Sequence, residues 1–149
     1  MTEKENVLTR EFKIKGKDFS RAGNISSKIK EILQETGISN SIIRRAAIAT
    51  YEAELNVVMY ANKGILYFTL DPDSIHLKID DEGKGIKDIS LAMKEGYSTA
   101  TEEYREMGFG AGMGLPNIKK NADKFKISSI LGKGATLEIF FFLNNSGAS

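Results

Sequence analysis

The chain has 149 residues, of which 41% are hydrophobic and 28% charged, so it is long enough for one globular domain with its own core. It contains 0 Cys and 1 His, which excludes disulfides, cysteine nucleophiles and metal sites built from several histidines. The 21 basic and 20 acidic residues leave a formal net charge of +1, too small a field to favour a nucleic-acid or membrane partner.

The longest apolar run, Ile139 to Leu143, is far shorter than the roughly 20 residues that a membrane-spanning helix needs. The N-terminal stretch MTEKENVLTR contains no hydrophobic core of a signal peptide. We therefore expect a cytoplasmic protein that binds neither membranes nor nucleic acid.

The first part of the chain predicts one strand followed by two helices. Alternating apolar residues predict a strand over 8–14, and Asp18 is expected to open a helix that Gly37 closes in the left-handed conformation. A longer helix, capped by Ser39 or the residue after it, is predicted to stop at Gly64. This helix is apolar on most of its circumference, so a polar residue on it should have a hydrogen-bond partner or a ligand.

A hairpin and a glycine-rich region are predicted next. Strand patterns over 65–70 and 75–80 flank the turn sequence Asp-Pro-Asp-Ser at 71–74. Half of the 14 glycines then lie between residues 83 and 114. Such a concentration of glycine is typical of mobile loops.

The C-terminal part predicts one more helix and a second hairpin. The helix should begin at Leu115 or the proline after it and continue through Phe125. Strands are predicted over 126–131 and 135–143, and 144–149 is expected to be a frayed tail. This order of elements favours a mixed sheet with its helices on one face.

The long helix carries the first candidate site. Glu52 and Asn56 are four residues apart, so their side chains lie on one helix face, whereas Glu54 points elsewhere. A carboxylate can deprotonate an attacking hydroxyl or water, and an amide oxygen one turn away can ligate Mg²⁺. Taken alone, the pair is more typical of an exposed polar patch on a helix.

A second motif, Asp81-x-Gly83-x-Gly85, follows a predicted strand directly. The Asp81 carboxylate can accept a hydrogen bond from an exocyclic amine such as that of adenine, and the glycines let the backbone pass beneath a flat ring. By itself this motif also fits a turn that ends a strand. A calcium loop is disfavoured because acidic ligands at alternate positions are missing.

The third motif is the glycine-rich run from Gly108 to Gly114, which leads straight into a helix. Glycines turn successive backbone N–H groups toward one point, and a helix N-terminus favours phosphate there. The spacing also fits a dinucleotide-binding loop, but no strand immediately precedes it and no βαβ unit surrounds it.

In this order the three motifs resemble the nucleotide-binding boxes of the GHKL (Bergerat-fold) ATPases, which include gyrase, heat-shock chaperone, histidine kinase and MutL. The residues that carry the resemblance are Glu52-x-x-x-Asn56, Asp81-x-Gly83-x-Gly85 and Gly110-x-Gly112-x-Gly114-Leu115. The resemblance implies one ATP-binding domain over 1–149. It also implies an α+β fold, a two-layer α/β sandwich whose mixed, mostly antiparallel sheet has helices packed on one face.

Within that superfamily, the small size and the run Glu95-Gly96-Tyr97-Ser98-Thr99 resemble the bacterial anti-sigma-factor and switch-protein serine kinases most. The resemblance implies that Glu52 is the general base, Asn56 the Mg²⁺ ligand and Asp81 the adenine anchor. Residues 96–114 would form a flexible lid over ATP. The further residues implied to bind the nucleotide are Gly83, Gly85, Ile86, Ser98, Thr99, Arg105, Gly108, Gly110, Gly112, Gly114, Leu115 and Thr136.

Two of these assignments remain open at the level of sequence. Arg105 either reaches inward when the lid closes or only solvates an exposed segment. Thr136 follows Gly134, where the family often places a threonine near the adenine, although Ala135 occupies one of the two candidate positions. The histidine-kinase branch normally has asparagine where Glu52 stands.

The resemblance implies a Mg-ATP-dependent protein serine/threonine kinase that phosphorylates a STAS-type anti-sigma-factor antagonist in a bacterial partner-switching module. The alternative is a nucleotide-gated module that binds a sigma factor or another regulator without phosphotransfer. Glu52 favours the kinase, because a pure switch has no need of a base. Simple ATP hydrolysis ranks last, since those relatives carry additional transducer domains. A homodimer through the exposed first strand is a further expectation.

Overall fold

The computed structural model of the protein describes residues 7–86, 88–94 and 114–143. The strands are β1 (Leu8–Lys15), β2 (Ala61–Leu70), β3 (Ser74–Gly83), β4 (Lys124–Ile130) and β5 (Gly134–Phe142). The helices are α1 (Asn24–Glu35), α2 (Asn40–Tyr60), α3 (Ile89–Ala92) and α4 (Gly114–Asn121), and a 3₁₀ turn spans Phe19–Arg21.

The five strands form one sheet in the order β1-β2-β3-β5-β4. All four neighbouring pairs are antiparallel, because β2–β3 and β4–β5 are hairpins and β5 returns beside β3. Asp80 lies opposite Thr136 in the β3–β5 pair, and Gly64 lies opposite Asp81 in the β2–β3 pair. The α+β architecture with a mostly antiparallel sheet is therefore confirmed.

The main core of the described residues lies between the helices and one face of the sheet, and a small second cluster surrounds Leu55 and Met59. Alternate residues of each strand point toward α1, α2 and α4, as the two-residue period of a strand requires. The fully buried side chains of greatest volume are Phe68, Phe141, Ile29, Leu33, Leu66, Ile75, Leu77 and Ile79. Burying each of them contributes roughly 1.5–3 kcal/mol, so the sheet and helices hold each other in place.

The first predicted helix is wrong at its beginning. Asp18 opens only the 3₁₀ turn, and α1 begins at Asn24. Gly23 separates the two with a φ of +99°, a value that no right-handed helix can accommodate. Gly37 does end α1 in the left-handed region with a φ of +77°, as its position predicts.

The predicted stop of the long helix at Gly64 is also wrong. α2 begins after Ser39 at its N-cap, ends at Tyr60, and the chain enters β2 at Ala61. Gly64 lies inside β2, where a Cβ would come within 3.0 Å of the Val57 side chain and 3.1 Å of the Asp80 carbonyl oxygen. Although α2 has 21 residues, no described helix is long and apolar enough to cross a membrane.

The two hairpins form where the sequence predicts them, but the last helix is shorter than predicted. At the first turn, Oδ1 of Asp71 accepts hydrogen bonds from the backbone N–H groups of Asp73 at 2.7 Å and Ser74 at 2.8 Å. α4 ends at Asn121, and Phe125 lies in β4. The spacing before Phe125 fits a helix, but the residues after it alternate as a strand does, and pairing with β5 decides between the two.

An ionic and hydrogen-bonded cluster fixes the C-terminal end of α4. Arg45 on α2 donates to the Asn121 carbonyl oxygen at 2.8 Å and to Oδ1 of Asp123 at 3.2 Å. The other carboxylate oxygen of Asp123 accepts from the backbone N–H of Phe142 at 2.8 Å. α4 is thereby held against both α2 and the sheet, so its first turn has a defined position.

Candidate functional site

Glu52 lies in the second half of α2, and its half-buried carboxylate faces the first turn of α4. The side-chain amide of Asn117 donates to Oε2 of Glu52 at 3.1 Å. The other oxygen, Oε1, lies 3.6 Å from the place that a Cβ at Gly114 would take. The predicted general base and the last glycine of the third motif are thus brought together.

Asn56, one helical turn after Glu52, is also half-buried. The end of this helix touches the end of β3, since a Cβ at Gly83 would lie 2.9 Å from the Ala61 Cα and 3.1 Å from the Tyr60 carbonyl oxygen. The helix that carries the first motif and the second motif, which begins at the end of β3, therefore meet at one end of the sheet. Glycine at position 83 is required by this close approach of two backbones.

Glu54, between the two polar residues of α2, points in a different direction. Its side chain is only 3% exposed, and its carboxylate faces the backbone N–H groups of Gly23, Ile25 and Ser26 at the start of α1. Burial raises its pKa, and those N–H groups partly oppose the rise. Oε1 of Glu54 is buried without a hydrogen-bond partner among the described residues. Glu54 is thus a structural group of the α1–α2 contact.

Asp81 lies at the end of β3 with its carboxylate turned toward β5. Oδ1 accepts a hydrogen bond from the backbone N–H of Ala135 at 3.0 Å. Burial raises the pKa of Asp81 and the Asp80 charge adds to the rise, whereas the hydrogen bond from Ala135 lowers it. Gly134 makes this contact possible, because a Cβ there would overlap the Asp81 carbonyl oxygen.

The turn after β3 is attached to the β4–β5 hairpin. Gly85 has a φ of +78°, and a Cβ on it would lie 2.7 Å from the Ile130 carbonyl oxygen and 2.8 Å from Oγ of Ser129. Ser129 Oγ accepts from the backbone N–H of Ile86 at 2.6 Å and donates to the Gly134 carbonyl oxygen at 3.3 Å. The missing side chains of Gly83 and Gly85 would point into protein. Packing therefore already requires these glycines, and their place beneath a flat ring stays a prediction.

Two other predicted nucleotide residues have structural surroundings. Thr136 alternates with the buried Ala135, so it lies on the sheet face away from the helices, where its hydroxyl donates to Oδ1 of Asp80 at 2.8 Å. This position turns the Thr136 side chain away from the face that Ala135 shares with the core, and its placement near the adenine stays a prediction. The Leu115 side chain is 8% exposed and belongs to the core, so only its backbone is available to a ligand.

Several predictions fall outside the described residues. They concern the lid over 96–114 except Gly114, the tail over 144–149, and the residues Ser98, Thr99, Arg105, Gly108, Gly110 and Gly112. In the part of the chain that the structure describes, no group of three or more His, Cys, Asp or Glu side chains is arranged to hold a metal ion.

Two residues of the site lie outside the three sequence motifs and are not predicted by them. Asn117 contacts Glu52 across 65 residues, and Ser129 contacts Ile86 across 43 residues. A weak signal exists for Asn117, because it stands between the apolar positions Leu115 and Ile118 on the first turn of a helix that follows a glycine-rich run. Ser129 gives no comparable signal, since serine is ordinary in an edge strand.

Residues 17–140 match the family described as the histidine kinase-like ATPase domain. The chain belongs to this family. It is 30% identical over 118 residues to the serine/threonine-protein kinase RsbT of Bacillus subtilis (strain 168), an alignment that covers 76% of this chain and 83% of that protein. It is 27% identical over 125 residues to the anti-sigma F factor of Caldanaerobacter subterraneus subsp. tengcongensis, covering 84% and 80% of the two chains.

The fold has a counterpart among solved structures. The mycobacterial sensor histidine kinase MprB superposes with a TM-score of 0.53 at 12% identity, covering 91% of this chain and 97% of that one. At this identity the likeness shows the fold alone. The family match over 17–140 and the 30% identical relative confirm the resemblance to GHKL ATPases that the three motifs carry.

Proposed function

We propose that this histidine kinase-like ATPase domain binds Mg-ATP and transfers the terminal phosphoryl group to a serine or threonine of a protein partner. The observation that carries the proposal is the half-buried Glu52 carboxylate facing the first turn of α4, one helical turn from Asn56. The relative named as a serine/threonine-protein kinase supports this choice.

Asp81 is the group we assign to the adenine. Oδ1 is engaged by the Ala135 backbone, so the Asp81 side chain has a fixed orientation, and Oδ2 would accept the exocyclic amine. Burial leaves the charge of this carboxylate weakly solvated, which raises its pKa and strengthens a hydrogen bond that it accepts. The Gly85–Ile86 turn, tied to Ser129, would form one wall beside the base.

The polar groups near Glu52 suit the binding of Mg²⁺ together with the phosphates of ATP. Asn56 offers an amide oxygen, the hard type of ligand that Mg²⁺ prefers, and phosphate oxygens and water complete such a site in nucleotide enzymes. The N-terminal N–H groups of α4 favour phosphate at Gly114. When bound, Mg²⁺ would neutralise charge on the phosphates.

Glu52 would act on the partner's hydroxyl group. The hydroxyl oxygen attacks the terminal phosphorus, the bond from that phosphorus to the bridging oxygen breaks, and ADP leaves with the electron pair. Glu52 takes the hydroxyl proton as the new oxygen–phosphorus bond forms. The neutral Asn117 amide can orient this carboxylate without competing for the proton.

The partner we propose is a small STAS-type anti-sigma-factor antagonist in a cytoplasmic partner-switching module, with a sigma factor as a further partner. The names of the two relatives, a serine/threonine kinase and an anti-sigma F factor, support regulators of this class. The edge strand β1 offers a surface on which two copies would pair as a homodimer.

A second candidate function is a nucleotide-gated module that holds a sigma factor or another regulator without phosphotransfer. The relative named anti-sigma F factor favours it, because that name describes binding and not catalysis. In this case nucleotide would change the affinity for the partner, and loss of Glu52 would leave that affinity intact.

Labelled phosphate transfer in an extract of the source cells distinguishes the two. Wild type, Glu52→Ala and the control Glu35→Ala, an exposed glutamate of α1, are incubated with Mg-ATP labelled on the terminal phosphate. The kinase predicts a labelled small protein with wild type and Glu35→Ala but not with Glu52→Ala. Binding of ATP without any labelled protein in an active extract contradicts the kinase, and nucleotide-dependent capture of a partner by all three proteins then supports the binding module.

A further inference from the structure

A single hydrogen bond joins the proposed general base to α4. Asn117 Nδ2 donates to Glu52 Oε2 at 3.1 Å, although the two residues stand 65 positions apart in the chain. Both side chains are half-buried, so water competes for this bond only in part. The bond crosses the interface between α2 and α4, the two helices that carry the first and third motifs.

Asn117 is itself held firmly. Its neighbours Leu115 and Ile118 are anchored in the core, with 8% and 0% exposure. Its carbonyl oxygen accepts the side-chain amide of Asn121 at 2.8 Å, and the Asn121 carbonyl oxygen accepts from Arg45 at 2.8 Å. The Asn117 amide therefore projects from a helix whose position is fixed at its other end as well.

The free oxygen of Glu52 is directed by this bond. A glutamate carboxylate rotates broadly about its last torsion, so one hydrogen bond to Oε2 sets the plane of the group. Oε1 is then turned toward Gly114, 3.6 Å from the position that a Cβ would take there, and no other atom of the described residues outside α4 lies within 4 Å of that position. A hydroxyl group placed beside Gly114 at the N-terminus of α4 would therefore lie next to Oε1.

We propose that Asn117 is a positioning residue that presents Oε1 of Glu52 to the partner's hydroxyl group. The inference rests on the proposed phosphotransfer and assigns to the site a residue outside the three motifs. Asn117 does not take the proton. It acts through Glu52, because its amide N–H group donates a hydrogen bond to the carboxylate oxygen. The amide presents no basic atom to the hydroxyl group. Misorientation of a base by about 1 Å costs as much as two orders of magnitude in rate.

The test measures single-turnover phosphotransfer to the purified partner, its KM, Mg-ATP affinity and thermal stability in two Asn117 variants. Asn117→Ala removes the donor, and Asn117→Asp keeps the shape but places an oxygen against Oε2. We expect kcat to fall about tenfold or more in both, with KM and the ATP dissociation constant within about twofold of wild type. Lys120→Ala, an exposed residue of the same helix, is the matched control and should keep kcat within about twofold.

A double-mutant cycle separates positioning from mere support of the fold. In a Glu52→Gln background, adding Asn117→Ala should lower the residual rate no further, because no base remains to be oriented. Equal fractional losses with and without Glu52, or an unchanged kcat in the single variants, overturn the positioning role while the kinase stands. If wild type binds Mg-ATP and phosphorylates no protein, the proposed function fails, and the positioning role fails with it.

Discussion

Oδ1 of Asp81 accepts a hydrogen bond from the backbone N–H of Ala135 at 3.0 Å, which joins the end of β3 to the start of β5. The donor is a backbone group, so the contact depends on how closely the strands approach and not on a side chain at position 135. That approach depends on Gly134, whose missing Cβ would overlap the Asp81 carbonyl oxygen. Backbone contacts between β3 and β5 thus fix the orientation of Asp81 in the proposed adenine site.

Gly134→Ala should therefore destabilise the protein and weaken ATP binding together. We expect the free energy of unfolding to fall by about 3 kcal/mol and the ATP dissociation constant to rise about tenfold. Gly132→Ala is the matched control, because Gly132 has a φ of +82° but nothing within 4 Å of its Cβ position. It should cost about 1 kcal/mol and leave ATP affinity nearly unchanged. Urea unfolding and calorimetric titration measure both quantities; equal effects of the two substitutions would contradict the account.

Ser129→Ala tests the attachment of the Gly85–Ile86 turn. Without Oγ of Ser129, the backbone N–H of Ile86 loses its 2.6 Å acceptor, so we expect a loss of about 1–2 kcal/mol in stability and several-fold weaker ATP binding. Ser128→Ala, an exposed neighbour on the same strand, serves as the control and should change neither. Hydrogen exchange at Ile86 provides a local check, because its amide should exchange faster only in Ser129→Ala. Unchanged exchange there would show that the hydroxyl does not hold the turn.

The parts of the fold that sequence predicts well are those with a local cause. The apolar alternation of β2 and β3 and the Asp71 turn are contained within a few neighbouring residues, and the structure confirms both. Local sequence predicts a helix stop at Gly64 because glycine often ends helices. Glycine is needed at this position because a Cβ would crowd the Val57 side chain and the Asp80 carbonyl oxygen. These contacts exist only in the folded state.

The same reasoning applies to the candidate site. The order of the three motifs indicates the family, since each motif is a local string of residues. What the motifs do not contain are the contacts that join them, such as Asn117 with Glu52 and Ala135 with Asp81, which span 65 and 54 residues. These contacts depend on helix packing and strand register, which a single sequence does not display.

Thr136→Ala should have little effect on ATP binding. The Thr136 hydroxyl donates to Oδ1 of Asp80 on the sheet face away from the helices, so its loss removes an exposed-face contact. We expect an ATP dissociation constant within about twofold of wild type and a stability loss below about 1 kcal/mol. Asp81→Asn, by comparison, should weaken binding at least about tenfold. A tenfold loss of affinity in Thr136→Ala would restore the threonine to the adenine site.

The buried carboxyl of Glu54 should make stability depend on pH. Burial raises its pKa in the folded protein above the unfolded value, so the protonated form favours the fold. Its contribution is fully present below the unfolded pKa and is lost as pH rises through the raised folded pKa. Relative to Glu54→Gln, wild type should therefore lose stability between these two pKa values as pH increases.

Urea unfolding across acid to neutral pH measures that difference. Glu35→Gln, an exposed glutamate of α1, is the control and should follow wild type at every pH. The curve for Glu54→Gln should separate from both as pH rises. Parallel curves for all three proteins would mean that the Glu54 carboxyl titrates alike in the folded and unfolded states.

The most direct test of the account compares phosphotransfer and nucleotide binding in Glu52→Gln, which keeps the shape of the side chain and removes its basic oxygen. We predict that the single-turnover rate of transfer to the partner falls at least about 100-fold while the Mg-ATP dissociation constant stays within about threefold of wild type. A transfer rate equal to that of wild type, or a loss of transfer matched by an equal loss of binding, would contradict the assignment of Glu52 as the base.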